Sequence, residues 1–166
     1  MLRARDVMQG VPLVTATPEM TLADLERRLL EHHVGGVPVL DGERVVGVIA
    51  RSDIVKQISV ARALAELVEA PDRAASGIRA PEVDDSALDA RAGLIVAERI
   101  AKLRVKDVMT DAVVAVEPST PITEVARQLV DHGIHRLLVV DGGKLAGIIS
   151  SLDLAALLLD ERVTVS

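Results

Sequence analysis

Gly147-Ile148-Ile149-Ser150-Ser151-Leu152-Asp153 repeats the pattern of Gly47-Val48-Ile49-Ala50-Arg51-Ser52-Asp53, one hundred positions earlier in the chain. The alignment runs without a gap from His32 to Asp53 and from His132 to Asp153. It keeps Val39/Val139, Asp41/Asp141, Gly42/Gly142 and Ile49/Ile149, with apolar exchanges at most other positions. Self-similarity at a fixed offset decides architecture ahead of any local reading, so two copies of one unit set the fold.

Each copy carries an Asp-Gly pair, Asp41-Gly42 or Asp141-Gly142, between two short runs of branched apolar residues. This pattern predicts a β-hairpin, with strands over Val37–Leu40 and Val45–Ile49, and again over Leu137–Val140 and Leu145–Ile149. A polar cluster ending in Asp follows each hairpin, and then apolar residues at helical spacing. Ser52 or Asp53, and Ser150, Ser151 or Asp153, are placed to cap the helix that follows. A helix N-terminus also favours anions, so this strand-to-helix turn suits a phosphate.

Upstream, each copy opens with Asp-Val-Met (Asp6–Met8 and Asp107–Met109), and a short strand is expected over Pro12–Thr15 or Val113–Val116. Thr17-Pro18 or Glu117-Pro118 then leads into an amphipathic helix. Leu22, Leu25, Leu29 and Leu30 mark its apolar face in the first copy, and Ile122, Val125, Leu129 and Val130 in the second. Thr21 and Asp24 form a capping-box pair. Each unit therefore reads strand, helix, strand, strand, helix. Between the units, a helix is expected from Asp53 to about Glu69, stopped by Pro71. An exposed connector is expected over Pro71–Ser86, and a further helix from about Ala87 to Leu103. The expected division is 1–57 for the first repeat, 58–104 for a helical connector and 105–166 for the second repeat. The middle helices serve packing or dimerisation, or recognise a partner.

The 166 residues, 49% hydrophobic, can fill a core. A net charge of −6 argues against a broad nucleic-acid or acidic-membrane surface, while leaving room for a local basic pocket. The absence of Cys excludes disulfides and thiolate chemistry and fits a reducing, cytoplasmic setting. No apolar run approaches the roughly 18 residues of a membrane helix, and Arg3, Arg5 and Asp6 interrupt any leader. With no Phe, Tyr or Trp, a planar ligand must be held between Val, Ile, Leu or Met side chains.

The ordered set of features, occurring twice, resembles the cystathionine-β-synthase (CBS) domain, and two such domains in tandem resemble a Bateman module. It covers about Arg5–Gln57 and Val105–Leu159. The resemblance implies an α/β (α+β) fold of two pseudo-twofold-related β-α-β-β-α repeats packed through their sheets, with two clefts for adenosine-containing ligands. It also implies dimerisation, and a sensor or regulator rather than an enzyme.

The family's nucleotide pattern, Gly-h-x-[Thr/Ser]-x-x-[Asp/Asn] with h apolar, is met in full by the second repeat. The resemblance implies that Gly147 allows close backbone approach, Ile148 presses on the base, Ser150 meets phosphate and Asp153 takes the ribose hydroxyls. It also implies an opposite wall of Thr17, Val34 and Gly35, with His135 and Arg136 as the basic pair for phosphate. A second, weaker cleft is implied at Gly47, Val48, Arg51 and Asp53, faced by Ile134 and His135. There Ala50 removes a hydroxyl, and Glu117 places a negative charge where the other copy has Thr17.

Plainer roles stand beside these. Asp53 and Asp153 can be helix caps alone, and Gly47 and Gly147 can serve close packing. Arg136 can be a solvated edge residue. His32 and His132 end helices and lack ligand spacing, so no metal is expected. Ser150, Asp153 and His135 supply triad residue types without a triad's arrangement, and no catalysis is expected. The expected function is a stand-alone sensor binding AMP, or else ATP, ADP or S-adenosylmethionine. It signals through repeat or subunit packing, as a homodimer, to an effector protein in trans, with no nucleic-acid or membrane partner. The alternative is a ligand-free scaffold that dimerises and recognises a partner through the middle helices.

Overall fold

The computed structural model describes residues 1–69 and 85–159. The first repeat contributes β1 (Gln9–Gly10), α1 (Leu22–Glu31), β2 (Gly36–Asp41), β3 (Arg44–Ala50) and α2 (Arg51–Glu69). After α3 (Asp85–Lys102), the second contributes the short α4 (Val105–Val108), β4 (Ala115–Val116), α5 (Ile122–Asp131), β5 (Arg136–Asp141), β6 (Lys144–Ser150) and α6 (Ser151–Leu159). The strand-helix-strand-strand-helix order expected of each repeat is present, in a mixed α+β fold.

Both hairpins form at their Asp-Gly pairs, one residue longer at each strand end than the apolar runs alone indicate. Gly142 and Gly143 take φ of 56° and 87°, the left-handed pair of a type I′ turn that matches strand twist. Three expectations shift. The short strand of the second repeat covers Ala115–Val116 and not Val113–Val116. The first short strand lies at Gln9–Gly10 and not at Pro12–Thr15, because Pro12 has no amide N–H for a ladder. The helices flanking the middle segment begin at Arg51 and Asp85, each two residues before the expected start. The connector up to residue 84, with its stop at Pro71, lies outside the described residues.

The chain divides into two compact units assembled from interleaved stretches. The first comprises Met1–Thr15, Pro38–Val48 and Thr110 onward. Its sheet runs β2-β3-β6-β5-β4, with β1 also on β6. β5 and β6 pair antiparallel along their length, β4 lies parallel to β5, and Arg44 meets Lys144 where β3 meets β6. Ala4, Ile122, Val125, Leu129, Leu137, Val139, Ile149 and Leu157 form the core, flanked by Val7, Met8 and Ile134. Burying each of the larger side chains contributes about 1.5–3 kcal/mol. The N-terminal segment is held by Ala4 N–H donating to Thr120 O at 2.8 Å and Ile122 N–H donating to Leu2 O at 3.0 Å. The Arg3 guanidinium donates to Ser119 O at 2.7 Å. Asp6 accepts Arg3 N–H at 2.8 Å, so the motif's Asp caps its own turn.

The second unit comprises Ala16–Val37 and Ile49–Met109. α1 buries Leu22, Leu25 and Leu29 while Leu30, expected on the same face, is exposed, and it begins with half of the expected capping box, Asp24 meeting the Thr21 hydroxyl and not the Thr21 N–H. Thr21 Oγ1 accepts Asp24 N–H at 3.0 Å and donates to Asp24 Oδ2 at 2.8 Å. α2 packs on α3, and α1 contacts both. The opening of the second repeat docks here: Val105, fully buried, donates its N–H to Met20 O at 2.9 Å, and Asp107 accepts Arg104 N–H at 2.8 Å. Among the described residues no polar or charged side chain is buried.

Candidate functional site

In the first unit β6 ends at Ser150 and α6 starts at Ser151, so Ser150 stands at the N-cap and Asp153 at the third helical position. The two close a reciprocal capping box. Ser150 Oγ accepts Asp153 N–H at 3.2 Å, and Asp153 Oδ2 accepts Ser150 N–H at 2.7 Å and the Ser150 hydroxyl at 2.6 Å. The other carboxylate oxygen, Oδ1, accepts the Gln9 side-chain amide at 3.3 Å. The plainer capping role is therefore real, and it holds both side chains in fixed positions at a helix N-terminus.

β1 lies against β6 with Gln9 opposite Ile148 and Gly10 opposite Gly147. A Cβ on Gly147 would stand 2.6 Å from Gln9 O and 2.7 Å from Met8 Sδ, so close backbone approach by β1 requires glycine there. On the other side of β6, Arg136 is the cross-strand partner of Ser150, and Leu138 of Ile148. Directly opposed residues, and alternate residues along one strand, share a face. Gln9, Ile148, Ser150 and Arg136 accordingly line one face at the end of the sheet where α6 begins. His135 O accepts Ser151 N–H at 3.0 Å, anchoring the start of β5 to the start of α6, while the His135 and Arg136 side chains are exposed. Anionic, diol-bearing ligands are the chemistry that a carboxylate, a hydroxyl, an arginine and the positive end of a helix dipole suit together.

The first repeat's counterpart is thinner. Asp53 Oδ2 accepts Ala50 N–H at 2.9 Å, but Ala50 has no hydroxyl to return to the helix, so half the box is missing. Asp53 Oδ1 instead pairs with Lys56 at 3.5 Å. Arg51 N–H donates to Gly35 O at 2.9 Å, the equivalent of the Ser151–His135 bond. Gly47 and Val48 lie on β3, where Val48 exchanges two hydrogen bonds of 2.9 Å with Thr110. Glu117 is exposed and accepts the Ser119 hydroxyl at 3.5 Å.

Val34 and Ile134 have a local reason to be apolar. Each is the second residue past a helix C-cap, closing a Schellman motif by donating N–H to Leu29 O or Leu129 O at 3.0 Å. Thr17 and Gly35, exposed, belong with Val34 to the second unit. Thr17 opens a turn through Met20 N–H and borders a groove of about 450 Å³ whose walls mix Glu19, Asp24 and Glu31 with Arg27. Gln9 and Lys56 are absent from the sequence-derived set. Lys56, three residues after Asp53 on a helix, carried a readable ion-pair spacing. Gln9 reaches Asp153 across 144 positions, and no local pattern announces that. Among the described residues there is no cluster of His, Asp and Glu fit to hold a metal, and no helix long and apolar enough to cross a membrane.

Comparison with known proteins finds the family model for the CBS domain matching residues 4–60 and 105–160. The uncharacterized protein MJ1426 of Methanocaldococcus jannaschii is 31% identical over 165 residues, spanning 93% of this chain and 90% of that one. Among solved structures, the fold matches CBSX2 in complex with AMP, with a TM-score of 0.69, 23% identity, and 98% of this chain and 100% of that chain covered. It also matches the CBS domain pair of protein MJ0100 in complex with 5′-methylthioadenosine and S-adenosyl-L-methionine, with a TM-score of 0.62, 17% identity, and 97% and 98% covered. Two family matches on the two copies of one strand-helix-strand-strand-helix unit make this chain a tandem member of the CBS domain family.

Proposed function

We propose that the chain is a regulatory module that binds an adenosine-containing ligand, AMP or a close relative, at the face built by Ile148, Ser150 and Arg136 with the adjoining Asp153, while Gly147 seats β1. The carrying observation is the fixed pair of Ser150 and Asp153 at the start of α6, with Arg136 opposite Ser150 on the neighbouring strand. Solved CBS pairs holding AMP, 5′-methylthioadenosine and S-adenosyl-L-methionine support this ligand class. In this reading Asp153 accepts ribose hydroxyls, Ser150 and Arg136 meet phosphate, and Ile148 packs on the base. Residues 1–57 and 105–166 are the two repeats, with 58–104 as the helical connector. The Asp53 position, lacking the hydroxyl and paired with Lys56, binds at least about tenfold more weakly, since a hydrogen bond to a charged group contributes about 1.5–3 kcal/mol. Ligand affects the protein's partners only through unequal affinity for two packing states.

The module acts as a homodimer in this reading, because α6 leaves Leu152 78% and Leu159 85% exposed. Leu152 and Leu159 stand seven positions, about two turns, apart and so share one face of α6, and an exposed apolar face suits an interaction surface.

To test the proposal, the purified protein is denatured and filtered, and the released small molecules are read by adenine absorbance and mass. With no Trp or Tyr in the chain, protein background is small. The expected result is an adenosine compound near one equivalent per chain, reduced at least tenfold in Ser150→Ala and in Asp153→Asn variants shown by far-ultraviolet circular dichroism to be folded. If nothing is released, and stripped protein binds none of AMP, ATP and S-adenosylmethionine in titration, the ligand reading fails and the dimerising scaffold takes its place.

A further inference from the structure

Asp153 has its acceptor capacity largely committed. A carboxylate offers about four lone-pair sites. Here Oδ2 accepts both the Ser150 N–H and the Ser150 hydroxyl, and Oδ1 accepts the Gln9 amide. A ribose diol brings two O–H donors, and the contacts in place leave room for one. Ser150 can release a position on Oδ2 by rotating its hydroxyl toward a phosphate. Gln9 still holds one of the two positions on Oδ1, and a ribose hydroxyl gains that oxygen undivided only if Gln9 withdraws. Gln9 is free to do so, because its side chain is exposed and β1 is held through backbone pairing with β6 rather than through the amide.

We infer that Gln9 is an internal competitor for the ribose site: its amide occupies the place on Asp153 that a ribose hydroxyl takes, so the N-terminal strand lowers affinity for ligands carrying a 2′,3′-diol. The inference rests on the assignment of Asp153 to ribose made above. It gives the site a selectivity device as well. A ligand without the diol has no reason to displace Gln9, so the competition acts on ribosyl ligands alone. The first repeat handles its carboxylate differently, through Lys56 on its own helix.

The test is calorimetric titration of stripped protein with AMP and with 2′,3′-dideoxy-AMP, for the natural chain, Gln9→Ala and Gln9→Met. The Met variant keeps the length of the side chain and removes only its amide. Both variants are expected to bind AMP about three- to tenfold more tightly than the natural chain, the scale of one exposed hydrogen bond to a carboxylate. Affinity for the dideoxy compound is expected to stay the same in all three. Equal AMP affinity in the three proteins, or weaker binding by the variants, overturns the role of Gln9 while leaving the adenosine reading intact. Failure of all three to bind AMP overturns both.

Discussion

Ser150→Ala and Ala50→Ser exchange the hydroxyl that completes the capping box at one of two equivalent helix starts and is missing at the other. In the second repeat the Ser150 hydroxyl satisfies Asp153 N–H at 3.2 Å, a donor with no partner inside the helix. In the first repeat the carboxylate half of the box is present, Ala50 N–H to Asp53 Oδ2 at 2.9 Å, and the hydroxyl half is missing. Replacing an N-cap Ser by Ala costs about 1 kcal/mol, within a range of about 0.5–2. Ser150→Ala should therefore lower stability by about 1 kcal/mol, and Ala50→Ser should raise it by a similar or slightly smaller amount. Asp53 is already in position to complete the second box, and Lys56 occupies only its other oxygen. With a urea dependence of about 2 kcal/mol/M, each change moves the midpoint by about 0.5 M, in opposite directions. The assay is urea unfolding followed by far-ultraviolet circular dichroism, because the chain has no Trp or Tyr to report by fluorescence. Protein stripped by unfolding and refolding keeps bound ligand from adding to the midpoint. If Ser150→Ala leaves the midpoint unchanged, or Ala50→Ser lowers it, capping is not what these positions contribute and the reasoning fails.

Gly147→Ala should destabilise by about 1–3 kcal/mol and loosen β1, because the new methyl meets backbone at Gln9 O, 2.6 Å away, which cannot yield as a side-chain tip would. Hydrogen exchange at Gly10 and Ile148 reads this directly, and unchanged protection would contradict it. His33→Gly should stabilise by about 1 kcal/mol: His33 holds φ of 53° after α1, where the second repeat has Gly133 at 60°. Thermal unfolding checks it, and a lower midpoint would refute it. The exposed Glu43–Lys144 pair gives a pH signature. Its hydrogen bond and charge hold Glu43 below the usual carboxylate range and Lys144 above the usual amine range. Glu43 is depressed on folding, so its contribution is present above the unfolded carboxylate pKa and lost as pH falls through the folded value. Lys144 is raised, so its contribution is full below the unfolded amine pKa and lost as pH rises through the folded value. Glu43→Gln should flatten stability against pH in both windows, by a small, salt-sensitive amount. An identical pH profile in the variant would show that the pair contributes nothing.

Local physics made much of this protein readable from its residues. Asp-Gly hairpins, the Thr21–Asp24 box and the apolar spacing of α1 and α5 are each decided within a few positions, by turn geometry, orphan helix N–H groups and helical period. The duplication then doubled the hairpin and helix-spacing signals, although Pro121 stands where Thr21 caps the first copy. The Ser150–Asp153 spacing was legible for the same reason, being one turn of a helix. What sequence did not show is which distant segments meet. Gln9 on Asp153, Met8 against Gly147, Ala4 in the core with Ile149, and Val105 bonded to Met20 all depend on chain opening segments docking far along the sequence. Those contacts carry no periodicity or spacing, because they follow from which apolar surface and which backbone groups the assembled sheet leaves to be satisfied. The residues alone named a duplicated strand-helix unit with a capped, anion-favouring helix start; only the tertiary fold decided that each compact unit interleaves both repeats, and that the Asp153 carboxylate arrives with Gln9 already upon it.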